Sequence, residues 1–233
     1  MTELPRKFVA ELVGTFYLCF IGAGAILVDH HLGGGLGLVG IALAHGLALS
    51  IAVSATMNIS GGHINPAVTV TMLVCRQIGP RDAAAYIIAQ LVGGTIAGVL
   101  LLVIYRNFSP EAIDATKLGT PDLAPGVGFG LGVLVEALLT FLLLFSIFGT
   151  AVDPRAPKIG GWGIGLTVGF DILMGGPITG ASMNPARTFG TALPIGYFPA
   201  WHLVYWIGPI LGGVLAGLVY TTVILTERER TAQ

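Results

Sequence analysis

Six stretches of the chain, about 8–28, 36–57, 83–105, 127–149, 159–175 and 201–225, are apolar and nearly free of charge. At about 1.5 Å per residue, most are long enough to cross a hydrocarbon core roughly 30 Å thick. Each predicts a membrane-spanning helix. Two shorter apolar stretches, about 65–75 and 184–193, begin at an Asn-Pro pair. Roughly ten helical residues cover about 15 Å, half a bilayer. Neither spans alone, but two that enter from opposite sides meet near the midplane. The segment 106–126 is the most polar and Pro-rich part of the interior and reads as a linker.

The short stretches belong to a repeat. Ile59-Ser60-Gly61-Gly62-His63-Ile64-Asn65-Pro66-Ala67 returns as Ile178-Thr179-Gly180-Ala181-Ser182-Met183-Asn184-Pro185-Ala186, an offset of 184 − 65 = 119. Asn is a preferred N-cap, and Pro suits the first helical position because its φ is preset and it needs no amide hydrogen. Gly93-Gly94 through Gly98 matches Gly212-Gly213 through Gly217 at the same offset, and Ala10-Glu11 through Phe16 resembles Val135-Glu136 through Phe141 at a slightly larger one. Each repeat holds three spans, an odd number, so the second enters the membrane inverted. The expected fold class is an all-α membrane protein with six transmembrane helices and two re-entrant half-helices. Its parts are a first repeat 1–105 with half-helix 65–75, the linker, a second repeat 127–225 with half-helix 184–193, and a tail 226–233. Gly94/Gly98, Gly128/Gly132, Gly165/Gly169 and Gly213/Gly217 have the spacing that lets helices approach closely in lipid.

Composition agrees. Hydrophobic residues make up 54% and charged residues 10%, with mean hydropathy +0.86, where a soluble domain carries about 25% charge. A net charge of −1 offers no basic footprint for nucleic acid. Cys19 and Cys75 fall in apolar segments and read as buried thiols. The first apolar run has no convincing cleavage site after it and reads as a span, not a signal peptide. With the N-terminus inside, Arg6, Lys7, Arg76, Arg81, Arg155, Lys158, Arg228 and Arg230 lie on the cytoplasmic side, eight of eleven basic residues. The positive-inside rule then puts both termini in the cytoplasm. The plasma (cell) membrane is preferred to the vacuolar one. No nucleophile–base pair, metal-ligand cluster or phosphate loop is visible, so neither an enzyme nor a cofactor or metal is expected.

Irregular backbone at membrane depth is tolerated only where it is buried in protein or lines water. Gly61, Gly62, His63, Ile64, Gly180, Ser182 and Met183 are therefore expected to present carbonyls along a cavity. At the midplane two half-helix N-termini face each other, each with roughly half a positive charge, and the Asn65 and Asn184 amides can donate to a molecule between them. Such a centre favours a neutral polar solute and repels cations, hydronium included. Glu11 and Glu136, matched intramembrane carboxylates, read either as proton relays or ion ligands or, as we favour, as acceptors for amides of the re-entrant loops. Asp171 has no counterpart; it is either neutral or paired with a donor such as His45. Arg187 follows the second Asn-Pro-Ala and is expected to face the pore, since a lipid-exposed charge there costs at least roughly 2.5–3.5 kcal/mol. Val68 holds that place in the first repeat. His63 reads as a loop-stabilising hydrogen bonder and not a gate.

These residues resemble the aquaporin (major intrinsic protein) family over nearly the whole chain. The resemblance implies a homotetramer in the lipid bilayer with one pore per subunit, passing water and small uncharged solutes. It places a four-residue selectivity filter on His45, Ile172, Ala181 and Arg187. This set departs from the strict water-channel pattern and is similar to the plant tonoplast-intrinsic subgroup, whose members conduct water and often ammonia, urea or hydrogen peroxide. A neutral His45 could exchange a proton as solute passes; without the resemblance it would read as a packed histidine. The resemblance also implies weak mercury inhibition, because Ala181 replaces a pore cysteine. The runner-up is a glycerol facilitator, against which Thr188 stands where Asp is usual. From other classes come an ion-coupled secondary transporter, which also uses inverted repeats and broken helices, and an adhesion protein with negligible flux.

Overall fold

A computed structural model describes residues 3–157 and 159–225. Lys158 and the tail 226–233, both assigned above to the cytoplasmic side, lie outside the described residues. The helices stop where the sequence supplies a cap. α2 (Gly37–Ser60) and α7 (Trp162–Thr179) each end at a left-handed glycine, Gly61 at φ 90° and Gly180 at φ 79°. The N–H of each returns to Met57 or Gly176, a conformation open to a residue without Cβ. Asn65 and Asn184 then start the half-helices α3 (Pro66–Val74) and α8 (Pro185–Ala192), each with Pro at the first helical position. Their side-chain oxygens accept from the N–H of Ala67 (2.8 Å) and of Ala186 (3.0 Å).

The long helices are α1 (Glu3–His31), α2, α4 (Pro80–Phe108), α6 (Phe129–Ile147) and α9 (Val204–Val219). α6 and α9 continue in wider, π-type winding through 148–152 and 220–224. These five are long and apolar enough to cross a membrane. The sixth expected span, α7, is not among them: it has 18 residues, and glycines, Asp171 and Pro177 interrupt its apolar run. It sits in the bundle against α2 and α6. α6, α7 and α9 begin two or three residues later than the apolar stretches suggested. The segment read as a linker is itself ordered: it holds the short helix α5 (Pro110–Thr116), whose start Pro110 satisfies.

The two halves interlock. α3 packs on α9 of the other half, and α8 packs on α4. Glycines set the second contact: a Cβ built on Gly98 would lie 2.2 Å from the Gly190 carbonyl oxygen, and one on Gly190 2.4 Å from the Gly94 carbonyl carbon. Gly165 meets Gly46 of α2 in the same way, its Cβ falling 2.1 Å from the carbonyl oxygen. Gly128 is an exception to the expected pattern, with open space where its Cβ would be. The outer faces carry exposed large apolar residues, such as Leu134, Leu138 and Leu142 along α6. The result is the fold class expected: an all-helical membrane bundle with two re-entrant half-helices.

Candidate functional site: a pathway between the re-entrant loops

Both loops follow the same irregular path. Positive φ occurs at Gly61, Gly62 and Ile64 in the first and at Gly180, Ala181 and Met183 in the second, three pairs all 119 apart in sequence. Ile64, at φ 57°, is β-branched and an outlier there; such positions cost about 1–3 kcal/mol and persist only where the surroundings over-determine them.

Two buried carboxylates do this. Glu11 and Glu136 have no exposed surface. Glu11 accepts from Ser60 Oγ (2.6 Å), His63 N (2.9 Å) and Ile64 N (2.6 Å). Glu136 accepts from Thr179 Oγ1 (2.7 Å), Ser182 N (2.9 Å) and Met183 N (2.7 Å). Tyrosine hydroxyls brace the same turns from outside: Tyr86 donates to the Ser60 carbonyl at 2.7 Å and Tyr205 to the Thr179 carbonyl at 2.8 Å. The halves differ at one place. Gln90 Nε2 adds a fourth donor to Glu11 at 2.7 Å and also reaches Thr69 Oγ1 at 2.9 Å, while Pro209 occupies the matching position of α9.

The loops lock to each other through the asparagines. Asn65 Nδ2 donates to the Met183 carbonyl at 2.8 Å and Asn184 Nδ2 to the Ile64 carbonyl at 3.0 Å. An amide carries two hydrogens, so each asparagine keeps one for a solute. The Ile64 and Met183 carbonyls, expected in the pore file, each accept from the opposite asparagine, which leaves each a second lone pair. The carbonyls of Gly61, Gly62, His63, Gly180, Ala181 and Ser182 remain outside any backbone ladder.

At the other end of the cavity Arg187 is 3% exposed. Nη1 donates to the Gly119 carbonyl at 2.7 Å, and Nη2 lies 3.2 Å from His45 Nε2. His45 Nδ1 lies 2.9 Å from the Ile41 carbonyl. A carbonyl only accepts and a guanidinium only donates, so Nδ1 carries the hydrogen, Nε2 accepts, and the ring is neutral. Arg187 keeps other donors of its five for the cavity.

His45, Ile172, Ala181 and Arg187 line one cavity together with Asn65, Asn184 and His63; the rest of its lining is largely apolar, with Leu49, Val53, Leu143, Ile147 and Val168. A second cavity runs on from Gly62, His63 and Val68 to Gln77, Ile78 and Val152. His63 stands where the two adjoin. Its Nδ1 is 3.1 Å from Thr69 Oγ1 and its ring lies edge-on to Tyr86. Asp171 is not paired with His45: its Oδ2 is buried without a partner.

The sequence model of the family described as "Major intrinsic protein" matches residues 1–220. The chain belongs to the major intrinsic protein family. It is similar to Aquaporin TIP4-4 of Zea mays, 45% identical over 95% of this chain and 88% of that one. It is also similar to Aquaporin TIP2-1 of Arabidopsis thaliana, 40% identical over 96% of this chain and 89% of that one. The structure matches the aquaglyceroporin from Plasmodium falciparum with TM-score 0.84 and 25% identity, over 95% and 97% of the two chains. This major intrinsic protein is thus a multi-pass membrane channel of the aquaporin fold. The expected preference for the plasma membrane has no support here, since these relatives are of the tonoplast-intrinsic type.

Sequence reasoning missed several parts of this channel's site. Gly22 of α1 makes room for His45: a Cβ there would lie 2.4 Å from His45 Cδ2. Gly119, in the supposed linker, supplies the carbonyl that holds Arg187. Tyr86 and Tyr205, and Ser60 and Thr179, stand 119 apart, so the repeat offset was the signal that would have found them.

Proposed function

We propose that the chain is a passive pore for water and small neutral solutes, including ammonia and in addition urea or hydrogen peroxide, which excludes protons and ions. The observation that carries this reading is the single cavity shared by the fixed Arg187, the neutral His45 and the apolar Ile172 and Ala181. A fixed cation at the narrow level repels cations, and two half-helix N-termini meeting at Asn65 and Asn184 repeat that barrier at the midplane. An apolar Ile172 where a water-binding side chain could stand lowers the preference for water over ammonia. His45 has both ring nitrogens engaged, so its part is to hold Arg187 and not to exchange protons with the solute.

On this reading His45, Ile172, Ala181 and Arg187 are the selectivity filter. The two asparagine boxes are the midplane barrier, and Glu11 and Glu136 support the loops. The halves 1–105 and 127–225 form one pore, four chains form a tetramer, and both termini face the cytoplasm. His45→Phe combined with Ile172→His tests the filter. In proteoliposomes ammonia-driven alkalinisation falls while osmotic water flux is kept; an unchanged ammonia flux removes the assignment.

A further inference from the structure

Asp122 lies in the segment between the two halves, remote in sequence from every residue placed in the pore. Its carboxylate accepts three hydrogen bonds: from Tyr197 Oη at 2.5 Å, from Trp201 Nε1 at 2.6 Å and from its own neighbour Leu123 N at 2.9 Å. Tyr197 and Trp201 belong to the stretch that joins α8 to α9. Bonds to an ionised acceptor are short and roughly twice as strong as neutral ones. Burial and the Asp122 carboxylate push the Tyr197 hydroxyl up to about 12, so it remains a donor at any ordinary pH.

Three residues upstream, Gly119 presents its carbonyl to Arg187 Nη1 at 2.7 Å. That carbonyl is held under strain. Lys117, Leu118 and Gly119 are all left-handed, at φ 53°, 56° and 69°, and the first two are not glycines. Upstream, the buried Leu118 anchors the turn. Downstream, the ties are Thr120 Oγ1 to Thr191 Oγ1 at 3.0 Å, Ala124 N to the Ile178 carbonyl at 2.9 Å, and the Asp122 bonds. Of these downstream ties only Asp122 brings a charge; upstream, the Lys117 ammonium stands over the Tyr197 ring, 6.0 Å from its centroid.

We propose that Asp122 is a positioning residue for the constriction: through Tyr197 and Trp201 it clasps the segment that carries Gly119, and so fixes where the Arg187 guanidinium sits. The inference rests on the reading of Arg187 as a filter residue. Without the clasp the Gly119 carbonyl withdraws, Arg187 loses one of its two protein acceptors, and the opening widens for solutes larger than water.

The test is the urea-to-water permeability ratio in proteoliposomes for wild type, Asp122→Ala, Tyr197→Phe and, as a reference, Arg187→Val. The ratio is expected to rise about fivefold in Asp122→Ala, the factor that loss of about one net hydrogen bond gives, and by less in Tyr197→Phe. A purely structural role would lower yield or thermal stability and leave the ratio unmoved. If Arg187→Val shifts the ratio and the other two do not, the clasp is overturned and the filter stands. If Arg187→Val itself leaves the ratio at the wild-type value, the filter reading fails. Should Asp122→Ala not assemble, Tyr197→Phe, which removes a single hydroxyl, decides the matter.

Discussion

Glu136, itself without exposed surface, is the acceptor for two backbone N–H groups and one hydroxyl of the second re-entrant loop. Glu136→Ala strands these donors at about 1–3 kcal/mol each. The variant is expected to lose most of its folded yield, measured by gel filtration in detergent, and a wild-type yield and melting temperature would refute the bracing role. Gly22→Ala makes a milder prediction. The added Cβ displaces His45, breaks its bond to Arg187, and changes the ratio of ammonia to water flux with little loss of protein. The first of these sites was legible in the sequence, because Glu11 and Glu136 recur with the repeat. So were Asn65 and Asn184. Gly22, Gly119 and Asp122 were not: each matters through contacts with residues between 23 and 79 positions away, and a single sequence carries no trace of such pairs. The neutral state of His45 was anticipated, but its two engaged nitrogens needed coordinates.

Among the elements, the half-helices were the most legible and the segment between the halves the least. Asn-Pro fixes a helix start by local chemistry alone, whereas α5 and the left-handed turn after it are set by contacts of Leu118 with α1 and α4. α8 depends on its glycine contact with α4 for its place. Gly190→Val would drive a side chain into the Gly94 backbone and, at about 1–3 kcal/mol or more for overpacking, shift the helix that carries Arg187. Water flux per assembled channel should fall; retention of both flux and selectivity would show that the α4–α8 contact is not what places Arg187. At the other end of the bundle, Asp153 ties α6 to α9. Arg155 binds its carboxylate bidentately at 2.9 and 2.7 Å, and Tyr220 Oη donates to it at 3.1 Å. The Arg155 bond holds the Asp153 carboxyl well below the usual carboxylate range. A depressed folded pKa contributes stability that is present above the unfolded value, about 3.9, and is lost as pH falls through the folded one. Asp153→Asn should therefore melt lower than wild type in detergent at neutral pH. The gap should narrow as the pH is taken below about 3.9, and a gap independent of pH would contradict the tie.

At the scale of the whole molecule, the six apolar stretches and the repeat were enough to give the bundle and its inversion, since lipid leaves few other ways to satisfy the backbone. α7 is the weakest of the expected spans because glycines, Asp171 and Pro177 interrupt its apolar run, while its Ile164, Val168 and Ile172 line the pathway. Neither cysteine lies on that pathway: Cys19 is fully buried and Cys75 caps α3 beside Gly217. Mercury is thus expected to leave water flux unchanged, and a strong block relieved by Cys75→Ser would place that thiol on the route after all. The measurement that bears most directly on the account is stopped-flow on one proteoliposome preparation, reading osmotic shrinkage, ammonia-driven alkalinisation of the lumen, and proton leak under a pH gradient. The account predicts water and ammonia fluxes above those of empty vesicles with a proton leak equal to theirs. Water and ammonia fluxes no greater than those of empty vesicles, or a proton leak that rises with the protein, would contradict it.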